Sequence, residues 1–152
     1  MEIEVVKIAR QWIGTPYVHQ ASLKGVGCDC LGLLRGIWRE LYGEEPEAVP
    51  PYSLDWAEAT GADTLYMALA RHAREVALRQ IAPGDVALFR MNGSSRATAS
   101  LSERKRGPAK HCGIVAEKNG ALSLIHSRQN KQVNEEPLSP FWRSKLAYAF
   151  RL

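Results

Sequence analysis

Residues 111–126 read HCGIVAEKNGALSLIH. The dipeptide Asn119-Gly120 predicts a type I′ turn, because both central residues of that turn need the positive φ angle that asparagine and glycine tolerate. Runs rich in apolar and β-branched residues flank the turn, so we expect strands at His111 to Glu117 and Leu122 to Ser127. The stretch therefore predicts an antiparallel β-hairpin together with its register.

The register of this hairpin brings two histidines together. Counting outward from the turn places Gly113 opposite His126, and His111 lies two residues further along the strand of Gly113. His111 and His126 are then diagonal neighbours on one face of the sheet, within reach of each other. A slip of one residue would separate them. One histidine could be a general base that the other orients, although two such histidines also fit a structural role.

The composition is that of an ordinary folded domain. The chain has 152 residues, 45% hydrophobic and 24% charged, which excludes collagen-like, low-complexity and wholly disordered classes. We expect one domain covering residues 1–152. The longest apolar runs are too short for a transmembrane helix, and the acidic start of the chain predicts no signal peptide. A net charge of +4 does not by itself predict nucleic-acid binding.

Helices are predicted before the hairpin and strands around and after it. Apolar spacing and the residues that end each run give the following expected elements: helices at 3–13, 30–42 and 62–79, strands at 86–91 and 148–152, another strand near Gln132-Val133, and a basic, flexible loop at 92–110. This order predicts an α+β domain with N-terminal helices packed on a mostly antiparallel sheet of about five strands.

Cys30 lies at the predicted start of the second helix, after Asp29 in the N-cap position. Unpaired N–H groups and the helix dipole there favour the thiolate, the nucleophilic form of cysteine. The same residue also fits a small buried position on the apolar stripe of that helix. Cys112 is expected in the core, on the face opposite His111. The single residue between Cys28 and Cys30 argues against a zinc site.

Several short motifs follow one another in a fixed order along the chain. They are Gly14-Thr15-Pro16-Tyr17, Asp29-Cys30-Leu31-Gly32-Leu33, Pro83-Gly84-Asp85-Val86, His111-Cys112-Gly113-Ile114-Val115 and Ile125-His126. Together they resemble the NlpC/P60 papain-like cysteine peptidases, over residues 3–128. The runs at 14–17, 20–21, 25–33 and 136–142 look like a subgroup of small peptidases encoded in tailed-phage and gene-transfer-agent tail clusters.

The resemblance implies a papain-like NlpC/P60 fold and a set of site residues. Cys30 matches the nucleophile, His111 the general base and His126 the residue that orients this base. Tyr17 matches a tyrosine whose hydroxyl points toward the cysteine and the developing oxyanion. Asp29 matches a carboxylate that helps bind the amino group of the substrate. The resemblance implies no metal and no cofactor.

The resemblance also implies a cysteine endopeptidase that hydrolyses amide bonds of bacterial peptidoglycan stem peptides through a thioester. The bond is typically the one from γ-D-glutamate to the diamino acid. The chain departs from many family members at Leu31, where they have serine, and this puts a preference for a free N-terminal L-alanine in doubt. The basic residues within 92–110 fit a rim that attracts the carboxylates of the stem.

The expected partners are peptidoglycan stem peptides and phage-like tail-tip proteins, with no nucleic acid and no membrane. The oligomeric state is not predicted. We expect a protein made in the cytoplasm that acts at the bacterial cell wall as part of a phage-like particle. Two alternatives stay open: a low-activity structural or binding module of a tail-tip assembly, and a thiol amidase or acyltransferase that acts on another substrate.

Overall fold

The computed structural model describes residues 2–49, 64–91 and 108–152. The elements in these ranges are α1 (Glu2–Gln11), β1 (Ser22–Leu23), β2 (Gly27–Cys28), α2 (Cys30–Tyr42), α3 (Thr64–His72), β3 (Arg74–Val76), a 3₁₀ turn (Leu78–Gln80), β4 (Val86–Phe89), β5 (His111–Lys118), β6 (Ala121–His126), β7 (Asn134–Pro137), α4 (Pro140–Lys145) and β8 (Leu146–Arg151). None of the described helices is long and apolar enough to cross a membrane.

A six-stranded sheet in the order β3-β8-β4-β5-β6-β7 forms the centre of the described fold. Each neighbouring pair of strands is antiparallel. Successive residues of a strand point to opposite faces, so Leu88 and Ile114 join the core beneath α1 and α2, while Phe89 and Val115 join a second core with Trp142. Full burial of each such side chain contributes about 1.5–3 kcal/mol.

The hairpin of β5 and β6 has the predicted register. Lys118 pairs with Ala121, and the pairing continues without a shift to Ile114 and Ile125. The residues at 119 and 120 have φ angles of 56° and 81°, which are the positive values that a type I′ turn requires. The prediction of the turn and of the strand pairing is confirmed.

Helix α2 also has the predicted bounds. Asp29 is its N-cap and accepts a hydrogen bond from the N–H of Gly32, and Gly43 ends the helix in the left-handed conformation with a φ of 86°. A Cβ on Gly36 would overlap the ring of Trp12 in α1. The two helices therefore approach closely at this glycine, and α2 packs on β5.

Two predicted elements differ from the structure, and one short helix was not predicted. The helix expected at 62–79 ends at His72, and residues 74–76 form β3, which pairs with β8 at the edge of the sheet. Helical apolar spacing cannot reveal backbone pairing with a distant strand. The strand expected near Gln132-Val133 lies slightly later, as β7. The short helix α4 was not predicted, since six residues are too few to show a periodicity.

Within the described residues the sheet thus has six strands rather than about five, and β1 and β2 form a separate two-stranded sheet. Of the predicted basic loop, residues 92–107 lie outside the described residues. Its last residues are attached to the sheet, because the N–H of Lys110 donates to the carbonyl oxygen of Phe89 at 3.1 Å and Ala109 is fully buried.

Candidate active site

Cys30 and the two histidines meet where β5 begins. Cys30 is the first residue of α2 and is half-buried. Its Sγ lies 3.8 Å from the carbonyl oxygen of Lys110, the residue before β5, and His111 is close enough to lower the pKa of its thiol. The packing of α2 on β5 therefore places a helix N-terminus and a strand start at one point.

His111 and His126 are in direct contact, as the hairpin register predicts. Nε2 of His111 lies 2.8 Å from Nδ1 of His126, and the residues are 8% and 0% exposed. Gly113 makes room for the pair, since a Cβ there would lie 2.9 Å from Cβ of His126. The two rings are thus joined by one N–H···N hydrogen bond in a site shielded from water.

The pKa of Cys30 is held well below its ordinary value. The interaction with the neighbouring Cys112 side chain contributes most to this shift; burial opposes it, and the interaction with His111 and its charge lower the pKa further. The same contact and burial raise the pKa of Cys112. Of the two sulfurs, Cys30 is therefore the one that loses its proton more readily, which suits it to the predicted role of nucleophile.

Cys112 lies in the core, but it also contacts Cys30. It is 1% exposed, and its Sγ is 3.3 Å from the backbone oxygen of Cys30. The alternation of side chains along β5 correctly indicated a buried position, but it could not show which helix covers that position. Among the described residues, no group of three or more His, Cys, Asp or Glu side chains is arranged to hold a metal ion.

Tyr17 is positioned by backbone contacts on both sides. Its N–H donates to the carbonyl oxygen of Lys131 at 3.0 Å, and it forms an isolated parallel bridge with Cys28. Burial, and then the nearby negative charges of Asp29 and Cys30, raise the pKa of Tyr17 to about 12. The hydroxyl thus stays protonated and remains a hydrogen-bond donor at neutral pH, while its role toward an oxyanion stays a prediction.

The Asp29 carboxylate is used within the fold. Its Oδ1 accepts from the N–H of Gly32 at 2.7 Å and its Oδ2 from the N–H of Gln20, also at 2.7 Å, while Nδ1 of His19 lies 3.8 Å away. Asp29 is only 3% exposed. It therefore fixes the start of the helix that carries the nucleophile. Its role toward the amino group of a substrate stays a prediction.

Two residues at the site were not predicted to act there, Glu136 in β7 and Trp142 in α4. Oε2 of Glu136 lies 2.8 Å from Nε2 of His126, and Nε1 of Trp142 donates to Oε1 of Glu136 at 3.0 Å. The Trp142 ring also stacks on His111, with centroids 5.6 Å apart and planes at 29°. Both residues lie in a run that supported the resemblance, but no spacing rule places that run beside His126.

We predict that Cys30 reacts with iodoacetamide at a pH well below the ordinary cysteine pKa of about 8.5. A lowered pKa extends the thiolate, the reacting form, to lower pH, so the rate should fall only in more acidic buffer. His111→Ala should shift the midpoint upward. Peptide mapping of alkylation rates against pH provides an internal control in Cys28, whose pKa is raised to about 11, chiefly by burial. A Cys30 midpoint at or above 8.5 would contradict the prediction.

The described fold is that of NlpC/P60 domains. The NlpC/p60 domain of the peptidoglycan hydrolase SagA superimposes with a TM-score of 0.63 and 17% identity, covering 100% of this chain and 99% of that domain structure. An NlpC/P60 family protein from Bacillus cereus ATCC 10987 gives 0.64 and 18% (99% and 40% covered). NlpC1 from Trichomonas vaginalis gives 0.58 and 16% (99% and 42%). The fold implied by the motifs is thereby confirmed.

A curated relative is similar in sequence. The gamma-DL-glutamyl hydrolase of Bacillus subtilis (strain 168) is 28% identical over 146 residues, which cover 95% of this chain and 28% of that protein. The chain thus spans just over a quarter of the length of this relative. No family model matches the chain.

Proposed function

We propose that this protein is a cysteine endopeptidase that hydrolyses amide bonds of bacterial peptidoglycan stem peptides. The observation that carries the proposal is the half-buried thiol of Cys30 at the start of α2, whose pKa the neighbouring Cys112 and His111 lower. His111 is in turn hydrogen-bonded to the buried His126. A low-pKa thiol, a base and a group that orients the base are the components of thiol acyl transfer.

The chemistry follows from these positions. The ring of His111 takes the proton of the Cys30 thiol, and the sulfur attacks the amide carbon. The carbonyl oxygen gains a negative charge, which the backbone N–H of Cys30 and the hydroxyl of Tyr17 stabilise. Collapse breaks the C–N bond, and the amine leaves with the proton from His111. Water, deprotonated by His111, then hydrolyses the thioester and restores the thiol.

The proposed scissile bond joins γ-D-glutamate to the diamino acid. Three observations support it: the motif resemblance, the similarity to a protein named gamma-DL-glutamyl hydrolase, and the shared fold with a peptidoglycan hydrolase. Leu31 packs against the apolar core and brings no hydroxyl to the position where many family members have serine. We therefore include stems that are still linked to muramic acid among the substrates.

We also propose that the protein works at the bacterial cell wall within a phage-like tail, next to tail-tip proteins. The support is the resemblance of the runs at 25–33 and 136–142 to tail-cluster peptidases. An antibody against the chain should detect it in purified particles and at the tail tip by electron microscopy. Particles that lack the chain while the producing cells contain it would contradict this placement.

The test of the activity is mass spectrometry of muropeptides and free tetrapeptides incubated with the purified protein, with Cys30→Ala as the control. We expect release of the fragment that begins with the diamino acid, and only with the intact thiol. No cleavage with a fast-reacting Cys30 would instead indicate another acyl substrate. No cleavage with a slowly reacting Cys30 would favour a structural or binding module.

A further inference from the structure

We propose that Glu136 is a positioning residue that sets the proton arrangement of the base His111 by acting through His126. This inference rests on the proposed function, since it takes His111 as the base of a thiol hydrolase. The register of β6 and β7 creates the contact. Glu136 pairs with Leu124, two residues before His126 on the same strand face, so the carboxylate lies diagonally beside the buried ring.

The hydrogen-bond chain has one consistent direction. A carboxylate can only accept, so Nε2 of His126, 2.8 Å from Oε2 of Glu136, carries the proton. Burial, and then the charge of His111, lower the pKa of His126 to about 4, so that the ring is neutral at pH 7. Its Nδ1 is then an acceptor and receives the Nε2–H of His111 at 2.8 Å. Nδ1 of His111 is left to exchange a proton with Cys30.

The orientation of the carboxylate is itself determined by neighbours. Nε1–H of Trp142 donates to its Oε1 at 3.0 Å, and Arg128 lies 3.9 Å from its Oε2 and over the Trp142 ring. Although burial opposes it, hydrogen bonds from His126 and Trp142 lower the pKa of Glu136. The carboxylate of Glu136 is therefore an anion at neutral pH and accepts from both His126 and Trp142.

Glutamine at position 136 should reverse the direction of this hydrogen-bond chain. The indole N–H of Trp142 needs an acceptor, so the amide oxygen of Glu136→Gln would face Trp142 and the NH₂ group would face His126. Nε2 of His126 would then accept, its proton would move to Nδ1, and Nε2 of His111 would have to accept from it. The proton of His111 would then lie on Nδ1, which could no longer take the proton of Cys30. The substitution keeps the size of the side chain but inverts its hydrogen bonding.

Glu135 provides the matched control. It is the preceding residue of β7 and points to the other side of the strand, where its Oε2 accepts from Ser123 at 2.7 Å and from Arg10 at 3.0 Å. Glu135→Gln thus removes the same charge from the same strand without touching either histidine. A purely structural or long-range electrostatic role of charge on β7 would make the two variants behave alike.

The experiment compares the wild type, Glu136→Gln and Glu135→Gln, each as the full chain. Nitrogen-15 NMR of histidine-labelled protein reports the tautomer of His126, and alkylation of Cys30 against pH reports the thiol–base pair. We expect His126 to be protonated on Nε2 in the wild type and Glu135→Gln, and on Nδ1 in Glu136→Gln. In Glu136→Gln, the thiol of Cys30 should be alkylated about 10-fold more slowly at neutral pH than in the wild type. The kcat of this variant on muropeptides should fall about 10²-fold with little change in KM.

Protonation of His126 on Nδ1 in the wild type would overturn the inference even if Glu136→Gln does not fold. Unchanged tautomer and alkylation in a folded Glu136→Gln would overturn it as well. If the tautomer switches as expected but the wild type cleaves no muropeptide, the proposed substrate is wrong and the positioning role of Glu136 stands. The two ideas therefore fail in distinguishable ways.

Discussion

Cys30→Ala should lower kcat for muropeptide hydrolysis by at least about 10³-fold while the protein stays folded. The proposed thioester route needs the sulfur, and the remaining oxyanion donors and binding contacts would supply only a small residual rate. Cys30 is half-buried, so the loss of one sulfur atom should cost about 1 kcal/mol of stability or less. Steady-state kinetics and thermal unfolding of the same preparation separate the two effects.

Cys28→Ala is the control for that variant. Cys28 lies two residues earlier and is fully buried. Its pKa is raised to about 11, chiefly by burial, so it is a neutral thiol at working pH. We expect the kcat of Cys28→Ala to stay within about threefold of the wild-type value. The small cavity left by the missing sulfur should cause a modest loss of stability. Substantial turnover by Cys30→Ala, with inactivation by Cys28→Ala, would show that the nucleophile is assigned to the wrong cysteine.

Gly32→Ala should destabilise the fold by about 3 kcal/mol, because there is no room for a side chain. The new Cβ would overlap the carbonyl oxygen of Ala21 and lie 3.0 Å from Oδ1 of Asp29, the atom that caps α2. Both neighbours are fixed: one is backbone, and the other is held by two N–H donors. Urea unfolding measures the free-energy change, and activity should fall as well, because α2 carries Cys30.

Gly43→Ala tests the same helix at its other end. No atom lies within 4 Å of a Cβ at Gly43, and its φ is 86°. The substitution therefore costs only the backbone strain of a left-handed residue, about 1 kcal/mol. If Gly32→Ala and Gly43→Ala lose the same free energy of unfolding, close approach to Ala21 is not what requires glycine at position 32.

Local signals explain which parts of the fold could be predicted. The Asn119-Gly120 turn and the bounds of α2 depend on backbone angles and caps within a few residues, and the structure has both. Strand β3 depends on pairing with β8 across some seventy residues of chain. Its segment continues the apolar spacing of α3, so that spacing by itself predicted a longer helix.

The candidate site likewise has parts that the sequence predicts and parts that it does not. The contact of His111 with His126 follows from counting along one hairpin, and the register confirmed it. The approach of Cys30 to His111 was implied by resemblance, and the packing of α2 on β5 brings them together. The contact of Cys112 with Cys30 lowers the pKa of the Cys30 thiol, yet nothing in the spacing of these cysteines indicates that they touch.

The sequence by itself determined a helix that begins at Cys30 and a hairpin that pairs two histidines, because caps, turns and strand alternation act over short stretches of chain. Only the tertiary structure decided that β7 aligns beside β6 and that Trp142 returns to the site, placing Glu136 against His126. Such contacts depend on the path of the whole chain and on which buried polar groups must find partners. Local periodicity carries no information about either.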